Sequence, residues 1–318
     1  MSSEAPSAPV IRLEVLGRLD PDEVAAVALL VERATEVDGV HPLSEHVVLH
    51  LRYGGDAPAQ SILAYHGATL VGYAHLDTTD EVDGASAELV VDPAHRGAGL
   101  GRQLVEAALA GTTDGRLRLW AHGGHPAAAA LAATLGFTKI RELWQMRRLL
   151  GAGLPSANWP VGVHLRTFGP GRDEDDWLAL NARAFATHPE QGAFDRPDLD
   201  RRMSEAWFDP AGFFLAYRVD PGTGRERLVG FHWTKVHGGD GGGHGHDPIG
   251  EVYVVGVDPD DQGGGLGRAL ILTGLEHLRR RGLPQALLYV EADNDPAIRV
   301  YQGLGFTRWD TDVMYRRG

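Results

Sequence analysis

Apolar and polar positions run through the same order twice along this chain. In the first half an alternating strand near residues 11–15 precedes a helix that opens at Asp20-Pro21-Asp22-Glu23. Asp20 is the expected N-cap. Pro21 takes the first helical position, where a missing N–H costs nothing, and Glu23 completes a capping box. In the second half a strand at 163–168 precedes a helix around 175–185 that carries Trp177, Leu180 and Ala184 on one face. Hairpins follow in both halves, 62–65 with 70–76 and 213–219 with 228–236, the second turning through Pro221-Gly222-Thr223-Gly224. Next comes an apolar strand ending in Val-Asp-Pro, a glycine-dense turn, and a helix with apolar residues at helical spacing (Leu100, Leu104, Ala107, Ala108; Leu266, Leu270, Leu275, Leu278). Another strand (117–121; 286–291), a short helix, a Leu-Gly-Phe tripeptide (135–137; 304–306) and a closing strand (144–148; 313–317) complete each half. This order predicts two tandem domains of mixed α/β (α+β) architecture at 10–150 and 162–318, joined by a Gly/Pro-rich linker at 151–161 and preceded by a small, polar, disordered tail at 1–9.

The repeat is sharpest at the turn. Val91-Asp92-Pro93-Ala94-His95-Arg96-Gly97-Ala98-Gly99-Leu100-Gly101-Arg102 returns as Val257-Asp258-Pro259-Asp260-Asp261-Gln262-Gly263-Gly264-Gly265-Leu266-Gly267-Arg268. A glycine-rich passage from strand into helix presents unpaired N–H groups at the positive end of the helix dipole and lets an anion approach the backbone closely. A dinucleotide loop would need glycine where Arg102 and Arg268 stand, and a Walker loop would need Gly-Lys-Ser/Thr, so both are excluded. The pattern Arg/Gln-x-x-Gly-x-Gly instead resembles the acetyl-CoA pyrophosphate loop of the GCN5-related N-acetyltransferase superfamily. The resemblance implies acetyl-CoA as cosubstrate.

Composition narrows the setting. The 318 residues, 43% of them apolar, can bury two cores, and no apolar run is long enough for a membrane span. A soluble, cytoplasmic, monomeric enzyme is expected. With no cysteine, disulfides, thiolate metal sites and cysteine nucleophiles are excluded. A net charge of −13 argues against general nucleic-acid binding. An anionic cosubstrate must then be held locally, by helix termini and by arginines such as Arg96, Arg102, Arg268 and Arg299.

The two copies differ chemically. Anchoring the motif strand at Asp92 and Asp258 sets Glu251 against Ala85, and anchoring the last helix at Gly136 and Gly305 sets Tyr301 against Ala132. Amine acetylation needs a base to take the ammonium proton and an acid for the departing thiolate. Glu251 is the candidate base. Tyr301 resembles the tyrosine that supplies the acid in many members of the superfamily, so catalysis is expected in the C-terminal half alone. Glu88 lies three residues further along its strand in this register, which assigns it to the opposite face.

A narrower resemblance rests on His188-Pro189-Glu190-Gln191-Gly192, His232-Trp233-Thr234-Lys235 and Glu251-Val252-Tyr253-Val254-Val255-Gly256-Val257. With the tandem halves and total length, these are similar to the mycothiol synthase family of actinobacteria, which acetylates the cysteinyl amine of a cysteinyl-glucosaminyl-inositol. The resemblance implies acetyl-CoA contacts from Val255, Gly256 and Val257, from the loop Gln262, Gly263, Gly264, Gly265, Leu266, Gly267 and Arg268, and from Asn294, Asp295, Pro296, Ala297, Ile298 and Arg299. In the first half it implies a second CoA site at Leu89, Val90, Val91, Arg96, Gly97, Gly99 and Gly101. For the thiol substrate it implies Glu36, Glu190, Lys235, Glu251 and Tyr289. Carboxylates suit an ammonium and hydroxyls as acceptors, and Lys235, one of two lysines (with Lys139) among 30 basic residues, suits them as a compact donor. The run 237–247 holds three histidines and two aspartates, but its glycines preorganise nothing, so it is read as a loop without metal that could gate the cleft. A tandem acetyltransferase for another small amine or a protein N-terminus, and a noncatalytic CoA-binding sensor, are the alternatives.

Overall fold

The computed structural model describes residues 11–54, 58–80, 83–220, 222–238 and 248–318; the tail expected at 1–9 and residues 239–247 of the glycine/histidine loop lie outside the described residues. The chain divides into two units, one running up to Leu143 and including Asp310–Gly318, the other spanning Trp144–Trp309.

In the first unit β1 (Ile11–Leu16) leads into α1 (Pro21–Asp38). The capping box closes as its sequence predicts: the Asp20 N–H donates to Glu23 Oε2 at 2.7 Å and the Glu23 N–H to Asp20 Oδ1 at 2.9 Å. A second helix, α2 (Glu45–Tyr53), is capped by Ser44 and has no counterpart among the predicted elements. Then follow β2 (Gln60–His66), β3 (Thr69–Asp77), β4 (Ala85–Val91), α3 (Leu100–Ala110), β5 (Leu117–Ala121), α4 (Pro126–Thr134) and β6 (Thr138–Leu149), which leaves the unit after Leu143. One sheet face packs Leu100, Leu104 and Ala108 of α3 on Ile62, Ala74, Ala85 and Ala87; the other packs Val27, Leu30 and Val47 of α1 and α2 on Leu63, Tyr73 and Val90.

The second unit repeats the plan with β7 (Val163–Thr167), α5 (Glu174–Ala184), α6 (Pro189–Gly192), α7 (Arg196–Met203), β8 (Phe213–Val219), β9 (Glu226–His237), β10 (Ile249–Val257), α8 (Leu266–Arg280), β11 (Gln285–Glu291), α9 (Asp295–Gly303) and β12 (Thr307–Arg317), which passes back after Trp309. Fully buried Trp177 of α5 meets Phe213, Phe231 and Trp233 edge-on, filling the α5 face with aromatic surface.

The boundary expected at 151–161 is corrected by the closing strands, which change places. Val313–Arg317 pairs antiparallel with β5 in the first unit, and the Trp144–Leu149 stretch of β6 lies next to β11 in the second. Met146 and Leu150 join the core under α8 and α9. Both closing strands carry a buried methionine, Met146 and Met314, with two arginines close behind it (Arg147 and Arg148; Arg316 and Arg317), so either strand can close either sheet.

In both units the central pair is parallel and brief. β4 meets β5 only over Ala85–Ala87, and β10 meets β11 only at Gly250↔Ala286 and Glu251↔Leu287. Beyond those residues the strands part, so the β11-facing backbone edge of β10 from Tyr253 onward has no strand partner among the described residues.

Candidate active site

In the second unit Asp258 ends the motif strand and accepts from the Asp260 N–H at 3.0 Å, folding the chain into a tight turn. Arg183 and Arg227 hold Asp258 at 2.9 and 3.1 Å, and Arg218 and Arg227 hold Asp261 at 2.8 and 2.6 Å. The acidic turn is therefore neutralised by its own arginines. Gly263 and Gly265 both adopt φ +83°, a left-handed conformation costly for any residue with a Cβ. Gly265 is also the N-cap of α8 and offers no side chain to its first N–H groups. A methyl group added at Gly263, Gly264 or Gly265 would meet no neighbouring atom, so the loop presents bare backbone to open space. The first copy has the same form, with Gly97 at +78° and Gly99 at +84° before α3. Arg96, however, turns both guanidinium nitrogens onto Asp38 at 2.7 Å and donates Nε–H to the Val91 carbonyl, bracing the loop against α1.

A loop of bare N–H groups ahead of two parted strands is a shape that fits a phosphate joined to an extended amide arm. Val255–Val257 lie on the parted stretch of β10, and Leu89–Val91 on that of β4. Asn294 caps α9, its side chain accepting from the Ala297 N–H at 3.2 Å, while Arg268 and Arg299 stand exposed.

Glu251 is buried beside this opening. Its antiparallel partner is Lys235 and its parallel neighbour Leu287. Lys235 directs Nζ over the rings of Trp207 (4.5 Å) and Tyr253 (5.1 Å). The Tyr253 hydroxyl accepts from Arg202 Nε at 2.9 Å. Two residues beyond Leu287, on the same side of β11, Tyr289 accepts at its hydroxyl from Gln145 Nε2 at 2.8 Å, and Gln145 accepts in turn from Arg147 at 2.7 Å. Glu251, Lys235 and Tyr289 therefore share one sheet face. His237 joins them, with Nε2 2.6 Å from Glu251 Oε2. Sequence reasoning assigns His237 to the glycine loop and misses it; the signal for it is position, since it follows Lys235 by two residues on a strand and so shares its face. Tyr301 is buried on α9, and burial pushes its hydroxyl up to about 12. Glu36 stands exposed on the last turn of α1 in the first unit, and the Glu190 side chain lies outside the described residues, although its backbone belongs to α6.

Two alignments need correction. β10 carries a bulge at Tyr253, between Val252 and Val254, which β4 lacks. Counting back from Asp258 through this extra residue, Glu251 corresponds to Ser86 rather than Ala85: Glu251 pairs with Leu287 as Ser86 pairs with Arg118. Glu88 therefore shares the face of Glu251's counterpart instead of reversing it. Its carboxylate is spent differently. It accepts from the Ser44 N–H at 2.5 Å and lies 3.4 Å from His122 Nε2, while His122 Nδ1 is 3.0 Å from Asp312 on β12. Burial alone would raise Glu88, but the bonds from His122 and Ser44 hold it below the usual carboxylate range. It is a structural ion, not a free base.

No helix of the described residues is long and apolar enough to cross a membrane, and among them no three or more His, Asp or Glu side chains gather as metal ligands.

Comparison with known proteins agrees with this geometry. Residues 176–306 match the acetyltransferase (GNAT) family model and residues 57–139 an acetyltransferase (GNAT) domain model. The chain is 60% identical to the mycothiol acetyltransferase of Streptosporangium roseum, over 96% of this chain and 99% of that protein. It is 58% identical to the mycothiol acetyltransferase of Acidothermus cellulolyticus, over 97% and 95%. Among solved structures it resembles a GCN5-related N-acetyltransferase from Sphaerobacter thermophilus (25% identity, TM-score 0.69, 96% and 95% coverage). A tandem GNAT protein from the clavulanic acid biosynthesis pathway shares the fold (21% identity, TM-score 0.72, 97% and 98% coverage).

Proposed function

Because this chain belongs to the mycothiol acetyltransferase family, with two GNAT domains and N-acetyltransferase activity, we propose that it acetylates the cysteinyl amine of a cysteinyl-glucosaminyl-inositol, the last step of mycothiol assembly. The observation that carries the reading is the face of the second unit on which Glu251, Lys235 and Tyr289 stand beside the parted strands.

Acetyl-CoA, when bound, supplies an activated thioester. The bare N–H groups from Gly263 to Arg268 would hold its pyrophosphate, and the unpaired edge of β10 at Val255–Val257 its amide arm. Glu251 takes one proton from the substrate ammonium, leaving a neutral nitrogen to form the C–N bond as the C–S bond breaks. Tyr301 gives its proton to the departing sulfur and regains the one shed by the new amide nitrogen. One proton per turnover returns from Glu251 to solvent, which balances the reaction. A hydroxyl held near 12 by burial keeps its proton at neutral pH until a negative sulfur develops. Lys235 and Tyr289 offer polar groups to the sugar and inositol hydroxyls, and Glu36 and Glu190 enter the substrate set from the family resemblance. The first unit has Ala132 against Tyr301 and Ser86 against Glu251, which supports a noncatalytic role, with CoA bound at its own loop. A cytoplasmic monomer suits such a reaction.

The test is direct: purified protein is supplied with acetyl-CoA and the cysteinyl pseudodisaccharide, with an aminoglycoside, a polyamine and a peptide N-terminus in parallel. A product heavier by one acetyl group on the cysteinyl nitrogen by mass spectrometry is expected. Acetylation of one of the other amines in its place would overturn the substrate, and CoA binding without any turnover would favour a sensor.

A further inference from the structure

The base face contains a residue that the mechanism above does not use. We infer that His237 is a positioning residue for Glu251, donating Nε2–H to one carboxylate oxygen so that the other stays aimed at the substrate amine. This rests on the reading of Glu251 as base.

Glu251 Oε2 lies 2.6 Å from His237 Nε2, within hydrogen-bonding distance. The Glu251 side chain is only 8% exposed whereas that of His237 is 40% exposed, so the imidazole bridges a buried carboxylate to the surface and fills no core space. A buried carboxylate rotates between rotamers of similar energy unless a donor fixes it, and a neutral imidazole offers one N–H held rigid in the ring plane. The backbone supplies that rigidity. His237 is the last residue of β9, in ladder register with Ile249, two positions after Lys235, so its ring is delivered to the face where Glu251 and Lys235 stand opposite each other. Among the described residues, the other charged and titratable groups on this side include Lys235 on β9, Tyr253 with its partner Arg202 of α7, and Tyr289 and Glu291 on β11. Lys235 is steered by Trp207 and Tyr253, whereas His237 is the group whose hydrogen bond sets the direction of Glu251 itself.

The experiment is a double-mutant cycle on the full chain with the cysteinyl pseudodisaccharide. His237→Ala should lower kcat about 10-fold while both KM values stay within about twofold of wild type, because the lost interaction acts only when the base works. His237→Gln, which keeps a donor, should recover part of the loss, and added imidazole should restore His237→Ala. In the Glu251→Gln background, removing His237 should have no further effect, since nothing remains to aim. Full kcat in His237→Ala, or losses that multiply in the double variant, would overturn the inference even with a sound base. Wild-type kcat in Glu251→Gln would overturn the base itself, and no acetylation by wild type the proposed function.

Discussion

At the scale of single residues, the same chemistry serves opposite ends in the two units. Glu251 is buried with its carboxylate against the half-exposed His237, whereas Glu88 is closed within Ser44, His122 and, through His122, Asp312. Glu251→Gln keeps the shape and the bond to His237 but cannot take a proton. Its kcat should fall about 100-fold with the KM for acetyl-CoA nearly unchanged, read from steady-state kinetics. The trio in the first unit makes a prediction of a different kind. Burial alone would lower His122, but Asp312 and Glu88 override it and raise the ring from its ordinary 6.5 to about 10. Its folded value lies above its unfolded one, so the stability it contributes is complete below pH 6.5 and is lost as pH rises towards 10. His122→Gln should cost about 3 kcal/mol at neutral pH, because two buried carboxylates lose their cation. Melting curves at several pH values check both statements: between pH 7 and 10 the wild type should lose stability more steeply than the variant. Of the trio only Glu88 stands out in the sequence. The meeting of all three was not legible, since it joins β4, the turn after β5 and a strand almost two hundred residues away.

At the scale of elements, the twin loops allow a controlled comparison. Gly99 and Gly265 share φ near +84°, both cap a helix without a side chain, and both would point a Cβ into empty space. Valine at either position meets the same backbone strain, on the order of 1–2 kcal/mol. Stability therefore cannot distinguish Gly99→Val from Gly265→Val; function should. Gly265→Val is expected to abolish turnover and CoA binding at the second unit, and Gly99→Val to keep most of the turnover while removing any CoA held by the first. Calorimetric titration with CoA beside kinetics separates the two, and equal kinetic damage would make the first loop part of catalysis. These loops were fully legible, because glycine spacing, strand pattern and helix period all converge on one turn. The bulge at Tyr253 was not. An equal count of seven residues from Glu251 to Asp258 and from Ala85 to Asp92 conceals one unpaired residue in one strand, and only ladder register reveals it. That single residue moved Glu251 into register with Ser86.

At the scale of the whole molecule, repeat order predicts two similar sheets, and each unit has one, but contiguous segments predicted from order alone are not what folds. Periodicity gives each strand a face and no address. Two closing strands with the same pattern can finish either sheet, and here each finishes the sheet whose other strands come from the opposite half of the sequence. The consequence is that neither half of the sequence is a domain. A fragment of residues 162–318 would lack the Trp144–Leu149 stretch that lies next to β11 and the apolar side chains of Met146 and Leu150, each contributing about 1.5–3 kcal/mol by burial. It would also lose Gln145 from the Tyr289 hydroxyl and leave Val313–Arg317 without its partner β5. An uncovered β11 edge with an exposed core invites association, so this fragment should be aggregated or molten in gel filtration and circular dichroism. A fragment of residues 144–309, which follows the units instead of the repeat, should fold with a cooperative melt and bind CoA. If 162–318 melts as sharply as 144–309 and acetylates the substrate, the exchange is dispensable for folding, and the closing strands are merely interchangeable ends of two independent sheets.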